Sequence, residues 1–492
     1  MKRFFAILLI ACLCIGCVTG CKKDSDGKIA LEDPAKVPED TYEINWYLMA
    51  DAQNDVRSVE EAINDYLKDK INATVKIYCL PSAQYQQKLT NMINAGEYFD
   101  MCFVARWMLD YVNNARAGAF TALDDYFEDY LSGTVAGFEP EVLDCSRVDG
   151  KLYAMPVNKE MATQYGWIYR KDIADKYDID MTKYKSFEEL EPVLKLIKQK
   201  EKEMNYPIDW ANDSAPAALL MHELWIPKYG YDSHDQTKAF NPFATEEFMQ
   251  ACKTARDFYN KGYVRPDVLT ATDQLQRMKE GKTFVMLQPL KPGKAKELFK
   301  GSAFEFEQAE VTPPIIDYLA GTGSMQAISA TSKNPVRVMR FMELLNTDPY
   351  LKNLVIHGIE GKHYNKIDDK TVEPIKKSGY DMYSNSWSIG NVFIDYLTET
   401  EDPNKLEDLK KFNDSAKSAT VNKFMTAKDD DAEFRDTEIT AVIGDYKKQC
   451  ALGVVDPETT IKEFNKQLEK CGIKEQLKWI QDQYDDYLKT IK

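Results

Sequence analysis

Histidine is the scarcest chemistry-bearing residue of this sequence, with four in 492 residues. General-base catalysis and metal chelation therefore have little material to work with. His222-Glu223 is followed by Leu224, Trp225 and Ile226, so the second histidine of a zincin helix is missing. No G-x-S-x-G nucleophile elbow occurs. Gly281-Lys282-Thr283 ends like a P-loop, but Gln276 stands where its first glycine belongs, so no phosphate cradle is expected. The six cysteines from Cys79 onward form no C-x-x-C pair, and internal repeats and low-complexity tracts are absent as well. Positive charge is short: 63 Lys and Arg face 79 Asp and Glu, a formal net charge of −16. That excludes the basic face a nucleic-acid binder needs, and attachment to anionic lipid by charge alone. What is present is apolar and aromatic: 44% hydrophobic residues, with 28 Tyr, 22 Phe and 7 Trp. A chain of this length, at roughly 100–200 residues per domain, folds into two or three domains with cores of their own.

The N-terminus bears on the compartment. Lys2 and Arg3 precede an apolar run from Phe4 to Val18, which reads as a secretory signal a little short to span a bilayer. The run ends in Val18-Thr19-Gly20-Cys21, and the polar residues Lys22 to Gly27 follow at once. This resembles the lipobox of bacterial lipoproteins, in which small residues precede a cysteine that is lipidated and becomes the mature N-terminus. The resemblance implies a signal peptide over residues 1–20, lipidation (palmitate among the acyl groups) at Cys21, and anchoring to the extracytoplasmic face of the cell membrane. More than one buried acyl chain makes such an anchor stable. Residues 21–40 are polar, contain Pro34 and Pro38, and read as a flexible tether with a reach of about 25 Å, the fold starting near Thr41. Six cysteines remain after Cys12, Cys14, Cys17 and Cys21. Cys450 and Cys471 are the nearest pair in sequence, but the strand contexts of Cys79 and Cys102 favour buried thiols.

From Thr41 onward strand and helix alternate. Tyr42–Met49 is rich in β-formers, Val59, Ile63, Tyr66 and Leu67 recur at helical spacing, and Thr74–Leu80 is a second strand. Tyr85, Leu89, Met92 and Ile93 repeat the helical spacing, Gly96 ends that helix, and Phe99–Ala105 is a third strand. Such a run implies right-handed crossovers and a parallel sheet, with ligands outside the carboxyl ends of its strands. Further strands are predicted at Lys151–Pro156, Thr163–Tyr169 and Thr322–Ser332. Ser186 and Thr245 are set to cap helices, and Pro335 to start one. The last stretch is helical, with Ile461, Phe464 and Leu468, then Ile473, Leu477, Ile480, Tyr484 and Tyr487 on apolar faces.

Several stretches then carry a resemblance. Lys88-Leu89 with Asn94-Ala95-Gly96-Glu97-Tyr98-Phe99-Asp100, Ala117 to Asp125, Val148 to Pro156, Tyr169-Arg170-Lys171-Asp172 and Gly262 to Asp267 together resemble the bacterial extracellular solute-binding proteins of family 1, the carbohydrate-type receptors of ABC importers. Ile328 to Pro335, Asn346 to Pro349, Gly358 to Tyr364 and Ser386 to Asn391 are similar to one lipoprotein subfamily with a long helical C-terminal region. In that subfamily the Gly358–Tyr364 stretch, with His357 and His363 at its ends, is a turn, and no metal or other cofactor is implied. The resemblance runs from about Thr41 to the end. It implies an α/β, two-lobed, periplasmic-binding-protein-like (type II) fold, with parallel-sheet lobes joined by crossover strands and ligand held in the cleft. Lobe I would take residues 41–157 and 325–372, and lobe II residues 158–324 and 373–492.

A sugar site needs flat apolar rings for the C–H face of the pyranose and planar polar groups for its hydroxyls. After the first strand stand Asp51, Asn54 and Asp55, the last placed to cap the following helix; after the third stand Arg106 and Trp107. The resemblance puts an acidic sugar contact on the first crossover, at Glu160, and aromatic and polar contacts in the loop of Trp210, Asn212 and Asp213. Trp387, between two serines in a turn-rich stretch, is the foremost aromatic candidate. Trp167, Trp225 and Trp479 read as structural. The expectation is a monomeric, lipid-anchored, non-enzymatic receptor that captures a carbohydrate, an oligosaccharide by preference, for the permease subunits of an ABC importer. A lipoprotein that senses ligand for a membrane kinase would share this fold. A glycoside-processing enzyme is the remaining alternative, since 79 carboxylates cannot be excluded pairwise by sequence.

Overall fold

The computed structural model describes residues 31–210, 215–220, 238–316, 320–418 and 436–490. The chain divides into two compact units: one runs to Lys159 and resumes over Gly321–Glu401, the other takes Glu160–Ala320 and the chain from Asp402. In chain order the strands that build the main sheets are β1 (Tyr42–Met49), β2 (Ala73–Leu80), β3 (Met101–Val104), β4 (Ala154–Pro156), β5 (Ala162–Arg170), β6 (Val285–Leu290), β7 (Phe306–Glu310), β8 (Ile315–Ile316) and β9 (Met325–Ile328).

The first unit is built on a five-stranded sheet of order β2-β1-β3-β9-β4. Alternation along β1 sends Ile44, Trp46 and Leu48 into the core. β2 and β3 flank β1 in parallel, as the strand–helix alternation predicts, whereas β9 returns antiparallel to both β3 and β4. The helix Val56–Ile71 covers β1 and β2 with Val59, Ile63, Leu67 and Ile71. The helix Ser82–Ala95 buries Tyr85, Leu89 and Met92 and stops at Gly96, whose φ of 62° only glycine adopts without strain.

The first unit takes more of the chain than the sequence reading gave it: residues 158–159 and 321–324 at its crossovers, and two longer stretches. Residues 373–401 stay in the first unit, because Tyr380, Met382 and Ile389 are buried in its core and the strand Leu397–Thr398 pairs with Thr371–Pro374. Residues 31–40, expected as part of a free tether, are docked on the same unit. Glu32 accepts hydrogen bonds from Arg337 Nε at 2.9 and 3.0 Å, from Arg340 Nη1 at 3.1 Å and from Asn334 Nδ2 at 2.8 Å. Its amide donates to Tyr130 Oη, and Asn72 Nδ2 donates to the Pro38 and Glu39 carbonyls. Arg337 is fully buried, and the carboxylates that pair with it among the described residues, Glu32 and Asp40, both come from this segment.

The second unit centres on β5, which pairs antiparallel with β6, β7 and β8. The expectation of parallel strands holds for β1, β2 and β3 and, in this unit, for the short pairing of Lys417–Ser418 with β8, whereas β6, β7 and β8 run against β5. Helix Phe187–Lys200 is capped by Ser186, which accepts from the Glu189 amide, and Glu246–Asn260 by Thr245. At the C-terminal end Ile461, Phe464 and Leu468 pack with Phe243, Phe248 and Cys252, the face the periodicity predicts. The six described cysteines are free thiols, Cys79 half-buried and the others buried. Burial pushes the thiol pKa of Cys79 and Cys450 up to about 11 and that of Cys102 up to about 12. No helix among the described residues is long and apolar enough to cross a membrane.

Candidate functional site

Five of the expected site residues belong to the first unit: Asp51 and Asn54 in the loop after β1, Arg106 and Trp107 in the loop after β3, and Trp387 on a short 3₁₀ turn, Tyr383–Ser388. The structure brings two of them into contact. The indoles of Trp107 and Trp387 stack with centroids 6.2 Å apart and planes inclined by 28°. Phe103 stands behind both, 5.8 Å from Trp107 and 5.6 Å edge-on from Trp387. Trp107 remains 53% exposed, an unusual outlay of apolar surface for a residue this large.

The loop that presents Trp107 is held tightly. Ala105 and Met108 bridge across it, Trp107 Nε1 donates to the Gly323 carbonyl at 2.8 Å, and the Arg106 amide donates to the Thr322 carbonyl. Leu109 and Asp110 then follow with φ of 58° and 39°, both left-handed without being glycine. Such residues cost about 1–3 kcal/mol each and persist where surrounding contacts fix them. Here Gln86 accepts from the Leu109 amide, Asn114 donates to the Leu109 carbonyl, and Asp110 caps the short helix that follows.

The turn carrying Trp387 is fixed at successive residues. Ser324 Oγ donates to the Trp387 carbonyl at 2.8 Å and Gln326 Nε2 to the Ser388 carbonyl at 2.5 Å. Gln326 is itself held by Trp46 Nε1, and Asn385 Nδ2 donates to the Met49 carbonyl at the end of β1. Beneath the turn lie Lys352 and Asp395, an ion pair with 0% and 2% of the side chains exposed. Neither had been singled out in the sequence.

Asp51 and Asn54 are exposed. Asn54 lines a cavity of about 360 Å³ together with Gln53, His357, His363 and the loop from Pro374 to Asp381. Asp55 occupies the helix N-cap position but does not cap with its side chain. Its carboxylate accepts from Ser58, from Lys362 and from His363 Nε2 at 2.9 Å, which holds it well below the usual carboxylate range. His363 Nδ1 accepts from the Ile359 amide, while His357 is turned to the Tyr396 carbonyl. Among the described residues no group of three His, Cys, Asp or Glu side chains is placed to hold a metal.

In the second unit Glu160 pairs with Lys291 Nζ at 3.2 Å. Burial pulls the Lys291 pKa down, but Glu160 and Glu297 outweigh it and leave the lysine raised. Trp210 is a correction: it is fully buried, packed against Phe187 and Phe258, and is a core residue and not a ligand contact. A strand end places a side chain near a loop without saying which face it takes. Its neighbour Asp209 is buried beside Arg277 and Arg265, and burial pushes its carboxyl up to about 6 against their pull. Asn212 and Asp213 lie outside the described residues.

A sequence profile described as bacterial extracellular solute-binding protein matches residues 61–359, and one for a domain of unknown function matches residues 433–489. A carbohydrate ABC transporter substrate-binding protein of Streptococcus pneumoniae is 27% identical over 470 residues, covering 91% of each chain. The crystal structure of the N-glycan transport solute-binding protein NgtS from Streptococcus pneumoniae superposes with a TM-score of 0.79 at 25% identity, over 92% of this chain and 100% of that one. The same protein in complex with Man5GlcNAc superposes at 0.65 and 26% identity, over 92% of this chain and 99% of that one.

Proposed function

The chain belongs to the bacterial extracellular solute-binding proteins, and from that premise we propose that it is a non-enzymatic receptor which takes an oligosaccharide on the Trp107–Trp387 face and delivers it to an ABC importer. The observation that carries this reading is the stacked, partly exposed indole pair at the carboxyl end of β3. Indole faces complement the C–H face of a pyranose, and covering them on binding removes apolar surface from water. Arg106, Asp51 and Asn54, on the neighbouring loops of the same unit, supply planar polar groups for sugar hydroxyls. The relatives support a carbohydrate in particular: one is described as a carbohydrate receptor, and another was solved with Man5GlcNAc.

Lipidation at Cys21 follows from the basic, apolar and small-residue pattern of residues 1–21, and would leave membrane contact to the anchor alone. With residues 31–40 docked, the stretch read as tether that is not held on the fold shortens to at most residues 22–30 in sequence. The function is tested by a thermal-shift panel of mono- and oligosaccharides with Man5GlcNAc, uronate oligosaccharides and peptides, run beside an assay for new reducing ends. Binding stabilises by mass action. The reading requires a saccharide that raises the melting temperature without being cleaved; turnover, or stabilisation by peptides alone, contradicts it.

A further inference from the structure

Lys352, from the helix Pro349–His357, has no exposed surface, and its ammonium has three partners. Nζ donates to Ser386 Oγ at 2.8 Å and to the Ile389 carbonyl at 2.6 Å, and lies 3.3 Å from Asp395 Oδ1. An ammonium has three donors and no acceptor; two go to the Ser386 and Ile389 oxygens, and the Asp395 carboxylate faces it as an ion pair. Ser386 in turn donates to the second oxygen of Asp395. The pair therefore grips the chain just before Trp387 and two residues after it, while Ser324 and Gln326 hold the carbonyls of Trp387 and Ser388.

A buried ion pair is a poor source of net stability, since desolvation offsets the Coulombic gain and well-packed apolar residues serve as well. What the pair adds over apolar filling is direction. We propose that Lys352 and Asp395 are positioning residues for the ligand face: they set the turn so that Trp387 meets Trp107, and through that contact they set ligand affinity. The second half of this inference rests on the oligosaccharide reading; the first does not.

The test uses the full chain with Lys352→Met and Asp395→Leu together, which removes both charges and leaves neither orphaned. A second variant, Ser386→Ala, cuts the hydroxyl that joins the pair to the turn and keeps both charges. The primary readout needs no ligand: the exciton couplet of the Trp107–Trp387 pair in circular dichroism, isolated by subtracting the spectrum of the same protein carrying Trp387→Phe. Both variants are expected to unfold cooperatively and to lose at least half of the couplet. Their Kd for Man5GlcNAc is expected to weaken by about tenfold, with no further loss when the charge-removing changes are placed on Trp387→Ala. A wild-type couplet in folded variants overturns the positioning role, whatever the affinity does. If Trp387→Ala binds Man5GlcNAc as tightly as wild type, the oligosaccharide reading of this face fails, and the couplet still decides the positioning.

Discussion

Trp107 and Trp387 form one surface from two distant parts of the chain, their indoles stacked 6.2 Å apart at an inclination of 28°. One indole is held through its own Nε1 to the Gly323 carbonyl, the other through the backbone of its turn, so both rings are placed by contacts within the protein. Such preorganisation spares a bound sugar the cost of ordering the rings that receive it.

Replacing either ring by alanine should therefore cost affinity and little stability. Trp107 is more than half exposed, and its loss removes little from the core. Trp107→Ala and Trp387→Ala are each expected to weaken Man5GlcNAc binding by tenfold or more, about 1.4 kcal/mol. Calorimetric titration measures the affinity, and thermal unfolding checks that each variant is folded.

Trp210→Ala should do the reverse. The ring is enclosed between Phe187 and Phe258, and its removal leaves a large cavity. A destabilisation of about 3–5 kcal/mol is expected in urea unfolding. In the fraction that stays folded, ligand affinity should match wild type.

Legibility in the sequence follows the range of the interactions involved. β1, β2 and their helix are plain from periodicity, because Ile44, Trp46 and Leu48 alternate and Val59, Ile63 and Leu67 recur at helical spacing. Trp107 was placed by its position after a strand, and Trp387 by its place in a turn-rich stretch. Their contact was not foreseeable, since nothing local couples the two. Trp210 was misread because an aromatic at a strand end has the same local signature whether it faces ligand or core. Lys352 and Asp395 look like ordinary surface charges, one on a helix and one in a loop, until folding buries them together. Glu32 was missed for a related reason: a polar, proline-containing segment has no apolar periodicity, and its docking depends on two arginines some three hundred residues away.

Glu32→Ala should release the segment it holds. The change leaves the buried Arg337 with the longer Asp40 pair at 3.7 Å alone among the described carboxylates, at a cost on the order of 3 kcal/mol. Limited trypsin digestion should then cut at Lys36, where wild type is protected by the Arg340 hydrogen bond to the Lys36 carbonyl. The same contact has a pH signature. Partial burial raises the Glu32 pKa, but Arg337, Asn334 and Arg340 together outweigh it and leave it lowered. A carboxyl lowered on folding stabilises fully above its unfolded value, about 4.3, and loses that contribution as pH falls through the folded value. Protection of Lys36 should be complete at neutral pH and disappear only in acid below that range.

The described thiols should be inert in the native protein. Desolvation raises the pKa values of Cys79, Cys102, Cys252 and Cys450, and the thiolate is the reactive form. At neutral pH a thiol reagent is expected to label Cys79 slowly and the buried cysteines only after denaturation, and reductant should leave the melting temperature unchanged. Peptide mapping that finds Cys450 joined to Cys471 would contradict this.

Calorimetric titration of the full chain with Man5GlcNAc, wild type beside Trp387→Ala, tests the central claim most directly. The account predicts saturable one-to-one binding by wild type, no hydrolysis of the recovered glycan, and affinity at least tenfold weaker in the variant. Equal affinity in the two proteins, or release of shortened glycan, would contradict it.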